Sequence, residues 1–290
     1  MAEFLQYLLS GITIGFIYGS VAIGFTLIYN ACHVVNFAQG EFVMLGAMLT
    51  VFVLSAGMPY PVAAFVAVAA TAVVGLALYD LTIRPARGAS PLTLIIVTIG
   101  ASILIRGLAQ VAFGTSFFTL PAVIKAESLT VAGAVFQPQG LVVIGGTLTL
   151  LLGQWLLLHK TFIGKAIIAS STDSMAAQLV GINVQLIVRL SFILSAMIGA
   201  VAGILITPIT VASHDMGIML ALKGFAAAML GGMGNPFGAL LGGLIVGLSE
   251  ALSAGYLSSE YKDATAFIII ILVLFVFPSG LFGESGDSRV

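Results

Sequence analysis

Charge is what this sequence has least of. Only 7% of its 290 residues are Asp, Glu, Lys or Arg, against about 25% in a soluble domain. The few present nearly cancel to a formal net charge of −1, so no basic patch exists to meet nucleic-acid phosphates. Cysteine is almost missing as well. Cys32 stands alone, which excludes an internal disulfide and a cysteine-cluster metal site. His33, His159 and His214 are scattered and lack metal-ligand spacing. There is no G-x-x-x-x-G-K-[ST] phosphate loop, because Gly164–Lys165 lacks the upstream glycine and the following Ser or Thr. The chain therefore does not hydrolyse ATP itself. The glycines of "GGMGNPFG" follow no strand and are no dinucleotide fingerprint. No paired-carboxylate or Ser/His/Asp grouping stands out. Neither catalysis nor a cofactor is expected.

What the chain has is apolar length. It is 60% hydrophobic with a mean hydropathy of +1.20, and a stretch of about 20 apolar residues spans a bilayer core. Such segments lie near 5–30, 40–56, 61–82, 92–113, 139–158, 188–210, 218–232, 236–252 and 264–282. The expected fold is all-α: a polytopic integral membrane protein of eight or nine transmembrane helices, with broken or re-entrant segments, in a single domain over 1–290. The opening "MAEFLQYLLSGITIGF" has no basic n-region and reads as a retained first membrane helix. The 34 glycines suit helices that pack closely in lipid. Gly15/Gly19, Gly199/Gly203 and Gly238/Gly242 have the spacing for it.

Orientation follows from Lys and Arg in short loops. Arg84 and Arg87, Lys160 and Lys165, and Arg289 mark cytoplasmic loops. The 114–138 loop, with Lys125 balanced by Glu127, falls outside, as does the N-terminus. The interval 159–187 is then the one long cytoplasmic loop. Within it "DSMAAQLVG" has an N-cap at Asp173 and a closing glycine at Gly181. A short amphipathic helix there, with Met175, Ala176, Leu179 and Val180 apolar, is a docking element for a soluble partner or a plain connector.

Polar residues gather at two interruptions. In "VNFAQGE", Asn36 and Gln39 have the form of a capping box, and Glu41 suits the positive end of the following helix. This helix start either faces a substrate path or is a capped end at the membrane surface. Asn235 lies in the second interruption, "GGMGNPFG". Gly24–Phe25 recurs at Gly224–Phe225, Asn36 at Asn235 and "LSAG" at 54–57 again at 252–255, with offsets of 200, 199 and 198. This is a parallel internal repeat or a chance echo in Gly- and Leu-rich sequence. Interrupted segments at matching positions mark translocation sites. Arg106, Lys223 and Glu250 sit inside apolar segments, where a charge left in lipid costs roughly 2.5–3.5 kcal/mol on insertion scales. Lys223 and Arg106 either snorkel to the outer interface, meet a substrate carboxylate or pair with Glu250. Asp80 reads as an interfacial partner of Arg84.

The motifs "VNFAQGE" (35–41), "AAQLVGIN" (176–183), "KGFAAAMLGGMGNPFGALLGG" (223–243), "EALSAGYLSSEYKD" (250–263) and "FPSGLFG" (277–283) resemble those of the integral-membrane permeases of ABC importers for branched-chain amino acids. The resemblance covers essentially the whole chain. It implies a multi-pass protein of the bacterial inner membrane that forms half of a translocation pathway. The implied partners are a second homologous permease, two cytoplasmic ATPases and a periplasmic solute-binding protein. In ABC importers a cytoplasmic helix with an E-A-A-x-x-x-G core docks in the ATPase. Ala176, Ala177 and Gly181 keep that spacing, whereas Met175 replaces the Glu. The coupling set is thus Asp173, Met175, Ala176, Ala177 and Gly181, and the pathway or gate set is Asn36, Gln39, Glu41, Lys223, Asn235 and Glu250. An ion-driven secondary transporter would need carboxylates at mid-membrane, for which Glu41 and Glu250 are the candidates. A purely structural scaffold would leave the polar breaks without purpose.

Overall fold

The computed structural model describes residues 2–86, 88–124, 128–131 and 133–283. Arg87, Lys125, Glu127 and Arg289, used above for orientation, lie outside them.

The apolar segments fold as helices whose ends follow local chemistry. In chain order they are α1 (Ala2–Cys32), α2 (Gln39–Ser55), α3 (Tyr60–Leu78, continued by a π-helical turn over Tyr79–Ile83), α4 (Pro91–Phe113), α5 (Gln139–Lys160), α6 (Phe162–Thr172), α7 (Ser174–Leu179), α8 (Val184–Ile206), α9 (Met216–Gly231), α10 (Pro236–Tyr256) and α11 (Lys262–Val276). Ser90 starts α4 by accepting from the Thr93 N–H, with Pro91 in the first turn, where a missing N–H costs nothing. Six of these helices are long and apolar enough to cross a membrane: α1, α3 with its π turn, α4, α5, α8 and α10. Strands β1 (Leu129–Val131) and β2 (Ala134–Phe136) form one antiparallel hairpin. Gln6 clamps it to α1, donating to the Val135 carbonyl at 3.0 Å and accepting from the Val135 N–H at 2.6 Å.

Two ends are thereby defined. The hairpin end carries β1–β2, the start of α1 and the turns at 56–59 and 257–261. The opposite, basic end carries Arg84, Lys160 and Lys165, with α6, α7 and the turn at 232–235. Between these ends run the six long helices, with α2, α9 and α11 shorter.

In lipid, burial of apolar surface no longer pulls helices together, so close backbone approach must. The glycine pairs do this. A Cβ on Gly15 would stand 2.7 Å from the Leu244 Cα, and one on Gly243 only 2.5 Å from the Gly19 nitrogen, which makes α1 and α10 an antiparallel seam. Gly203 meets Val43 on α2, and Gly242 meets Ala227 on α9, in the same manner. Around this centre α3, α4, α5 and α11 turn Phe65, Val73, Ile103, Leu108, Leu152 and Phe275 outward, the surface a bilayer covers.

α2 does not start at the basic end. After Cys32 the chain turns at His33, whose φ is +54°, and 34–38 climb back into the bundle. Gln39 then lies beside Gly24 and Ser195. Gly24 is eight residues before the end of α1, or about 12 Å at a 1.5 Å rise. α9 likewise starts inside, with Gly217 against Gly40. Both are re-entrant starts.

Candidate functional site

The stretch 36–41 is a buried polar knot rather than a surface cap. Asn36, Gln39 and Glu41 are all 1% exposed or less. The capping box expected from sequence does not form. The N-cap is Ala38, with no side-chain hydrogen bond. The Asn36 Oδ1 instead accepts from the Ala38 N–H at 3.1 Å. Gln39 turns away from its own backbone because Ser195 offers a better site. The Ser195 hydroxyl is 2.7 Å from the Gln39 Oε1, and the Gln39 Nε2 donates to the Ser195 carbonyl at 3.3 Å. Gly24 leaves the room, since a Cβ there would stand 2.0 Å from the Gln39 Nε2.

Glu41 faces α4. The Ser102 hydroxyl donates to its Oε1 at 2.8 Å, and the Phe37 N–H donates to the Thr98 hydroxyl at 3.2 Å. Arg106 follows one turn beyond Ser102 on α4, the helix that reaches Glu41, and no ion pair joins it to Glu250 among the described residues.

Lys223 and Glu250 form a second, separate group. Lys223 does not snorkel: it is 6% exposed, and its ammonium lies 2.8 Å from the Glu250 carboxylate and 2.6 Å from that of Asp263. The Tyr18 hydroxyl accepts from Lys223 at 3.0 Å and donates to Glu250 at 2.7 Å. Four helices, α1, α9, α10 and α11, are tied at one point. Opposite charges thus compensate one another within the bundle and form an internal tie. It also removes Glu250 as a free carboxylate for a coupling ion.

Asn235 is a cap. Its Oδ1 accepts from the Phe237 and Gly238 N–H groups at 3.0 and 3.1 Å. The two breaks therefore share one device, an Asn accepting from the N–H two residues on, and α1 and α9 run in the same direction. The "LSAG" echo is not equivalent: Gly57 follows the end of α2 with φ +85°, whereas Gly255 lies inside α10.

At the basic end, Thr161 caps α6 and Asp173 caps α7, the latter accepting from the Met175 and Ala176 N–H groups at 2.9 and 3.0 Å. α7 covers only Ser174–Leu179, because α6 runs up to Thr172. Gly181, at φ +88°, turns the chain into α8, a left-handed conformation that glycine adopts without penalty. Ala177 packs inward, whereas Met175, Leu179 and Val180 are 74%, 84% and 77% exposed. Beside α7 a cavity of about 860 Å³ reaches Cys32 and Val34 at the first break, Tyr79 on the π turn and Leu94 on α4. Asp80 lies 3.8 Å from Arg84, but its tighter partner is Arg189 on α8, at 2.6 Å.

Ser102, Ser195, Asp263 and Arg189 were not singled out in the sequence. Single hydroxyls in apolar runs give no local signal. Arg189 and Asp263 sit at helix ends, where a charge needs no special explanation.

The model of the family described as branched-chain amino acid transport system / permease component matches residues 7–274. The chain is 33% identical to the high-affinity branched-chain amino acid transport system permease protein LivH of Escherichia coli K12, over 99% of this chain and 98% of that protein. It is 31% identical to BraD of Pseudomonas aeruginosa, with the same coverage. It is 33% identical to a probable LivH of Methanocaldococcus jannaschii, over 91% of this chain and 87% of that protein. With a re-entrant polar break, a capped helix at the basic end and a cavity between them, the chain belongs to the family of branched-chain amino acid transport permease components.

Proposed function

We propose that this permease forms half of the translocation pathway of an ATP-driven importer for branched-chain amino acids. It pairs with a second permease, receives solute from a periplasmic binding protein and is driven by two cytoplasmic ATPases. The observation that carries this reading is α7. A six-residue helix that presents Met175, Leu179 and Val180 to water is an exposed apolar knob, and such a knob marks a protein contact. Its place at the end bearing Arg84, Lys160 and Lys165 supports a cytoplasmic position. Asp173 and Gly181 fix its two ends, and Ala177 keeps its inner face small.

In this reading ATP binding closes the ATPase pair and displaces α7. The cavity beside α7 reaches both the first break and α4, so the displacement arrives where α2 begins. Asn36, Gln39 and Glu41 then form the gate. Asn235 holds the second break, and Lys223 with Glu250 keeps α9, α10 and α11 moving as one piece. In proteoliposomes, uptake is expected only when the partner permease, both ATPases, the binding protein and ATP are present. Uptake by this chain alone under an ion gradient overturns the reading.

A further inference from the structure

Glu41 and Asn36 each keep one polar atom idle. The Glu41 Oε2 and the Asn36 Nδ2 are buried and have no hydrogen-bond partner among the described residues, although both side chains are 1% exposed. An unsatisfied polar atom in an apolar interior is costly and calls for a reason. The two atoms are complementary in kind: one is a spare acceptor on a carboxylate, the other a spare donor. Both are in the segment that α4 covers.

α4 covers it with one face. Thr98, Ser102 and Arg106 are spaced four residues apart and line a single stripe. Thr98 bonds the Phe37 backbone and Ser102 bonds Glu41, while Ile96, Ile103 and Leu104 point outward. Arg106, the next position of that stripe after Ser102, brings a cation to the same seam. Met44, Met48 and Ile105 pack together alongside, and methionine adapts its shape to an apolar guest. α4 is also the least buried of the long helices: 17% of an 18-residue apolar stretch of it is buried, against 78% for α1.

We propose that the seam between α2 and α4 holds a zwitterionic amino acid in transit, with its ammonium on the Glu41 Oε2, its carboxylate on Arg106 and the Asn36 Nδ2, and its aliphatic side chain against Met44 and Met48. This site rests on the importer reading and gives it a ligand chemistry. In the present structure α4 is closed over the seam. When α4 separates from α2, the two idle atoms become a recognition pair of opposite polarity. An amino acid matches that pair at both ends, and a sugar or a simple carboxylate does not.

The test uses the complete transporter in proteoliposomes and radiolabelled L-leucine, read as leucine taken up per ATP hydrolysed. Glu41→Gln keeps the shape and the Ser102 hydrogen bond but removes the charge, and Arg106→Gln removes the cation. Each is expected to lower the ratio at least tenfold, with Glu41→Asp remaining within threefold of wild type. A ratio within twofold of wild type in Glu41→Gln overturns the site. Uptake and hydrolysis that fall in step also overturn it, because that is what a merely structural Glu41 would give. A wild-type transporter without ATP-dependent uptake overturns the importer reading itself, so the two failures are told apart.

Discussion

Lys223→Met should reduce the amount of monodisperse, membrane-extracted protein at least tenfold. Lys223 is the one cation within 3 Å of both the Glu250 and Asp263 carboxylates. Removing it leaves Glu250 buried with the Tyr18 hydroxyl as donor and the half-exposed Lys262 4.0 Å away as the remaining cation. Breaking a buried pair from one side typically costs about 3–5 kcal/mol, a large share of the ~5–15 kcal/mol that holds a typical folded chain together. The loss comes from a stranded carboxylate, so removing that carboxylate as well should return part of the protein. Lys223→Met with Glu250→Leu should therefore yield more than Lys223→Met alone. Asp263, which is 39% exposed, can turn toward water in the double variant. A wild-type yield from Lys223→Met alone would show that the ammonium was at the interface all along and that the four-helix tie has no weight.

Gly181→Val should abolish ATP-driven uptake, at least tenfold, while the protein still reaches the membrane in near-normal amount. Gly181 has φ +88°, and a Cβ there would meet nothing within 4 Å. Crowding is therefore not the difficulty. The difficulty is the backbone: a left-handed residue with a side chain costs roughly 1–2 kcal/mol, and a β-branched one is a marked outlier. The turn relaxes by changing its path, which redirects α7 relative to α8. The Gly181 N–H bonds the Gln178 carbonyl and the Ile182 N–H bonds that of Ala177, so the same change loosens the end of α7. The membrane helices do not depend on this turn, which is why assembly should survive. Full uptake by this variant would remove the docking role from the 173–181 segment.

How much of this could be read from the residues alone differs from site to site. Each of the nine apolar segments contains a helix, because apolar runs are a local signal, although α2, α9 and α11, at 17, 16 and 15 residues, fall short of the six long ones. The glycine pairs became seams because the spacing that lets two backbones touch is itself local. Asp173 and Gly181 were legible for the same reason, a cap and a left-handed turn being short-range events. Gln39 was not. Its three-residue offset from Asn36 imitates a capping box, and its true partners, Ser195 and Gly24, are distant in sequence. Lys223 posed a similar problem. Pairing and snorkelling are equally open to a lysine in an apolar run, and Asp263, on a separate helix, decided between them. Ser102 was tied to Glu41, and Arg106 brought to the same seam, only when α4 was seen to lie along α2.

Family membership makes the protein a transport permease component, and six of its helices are long and apolar enough to cross a membrane. The central claim is narrower: the apolar knob of α7 is where an ATP-hydrolysing partner takes hold. The most direct measurement is the amount of ATPase that co-purifies with this chain and its partner permease, with and without Leu179→Asp and Val180→Asp. Both side chains are exposed and pack on nothing essential, so the charges should leave the bundle intact. The account predicts stoichiometric ATPase with the wild type and at least a tenfold loss with either aspartate. ATPase retained in full by both variants, or absent from the wild-type complex, would contradict it.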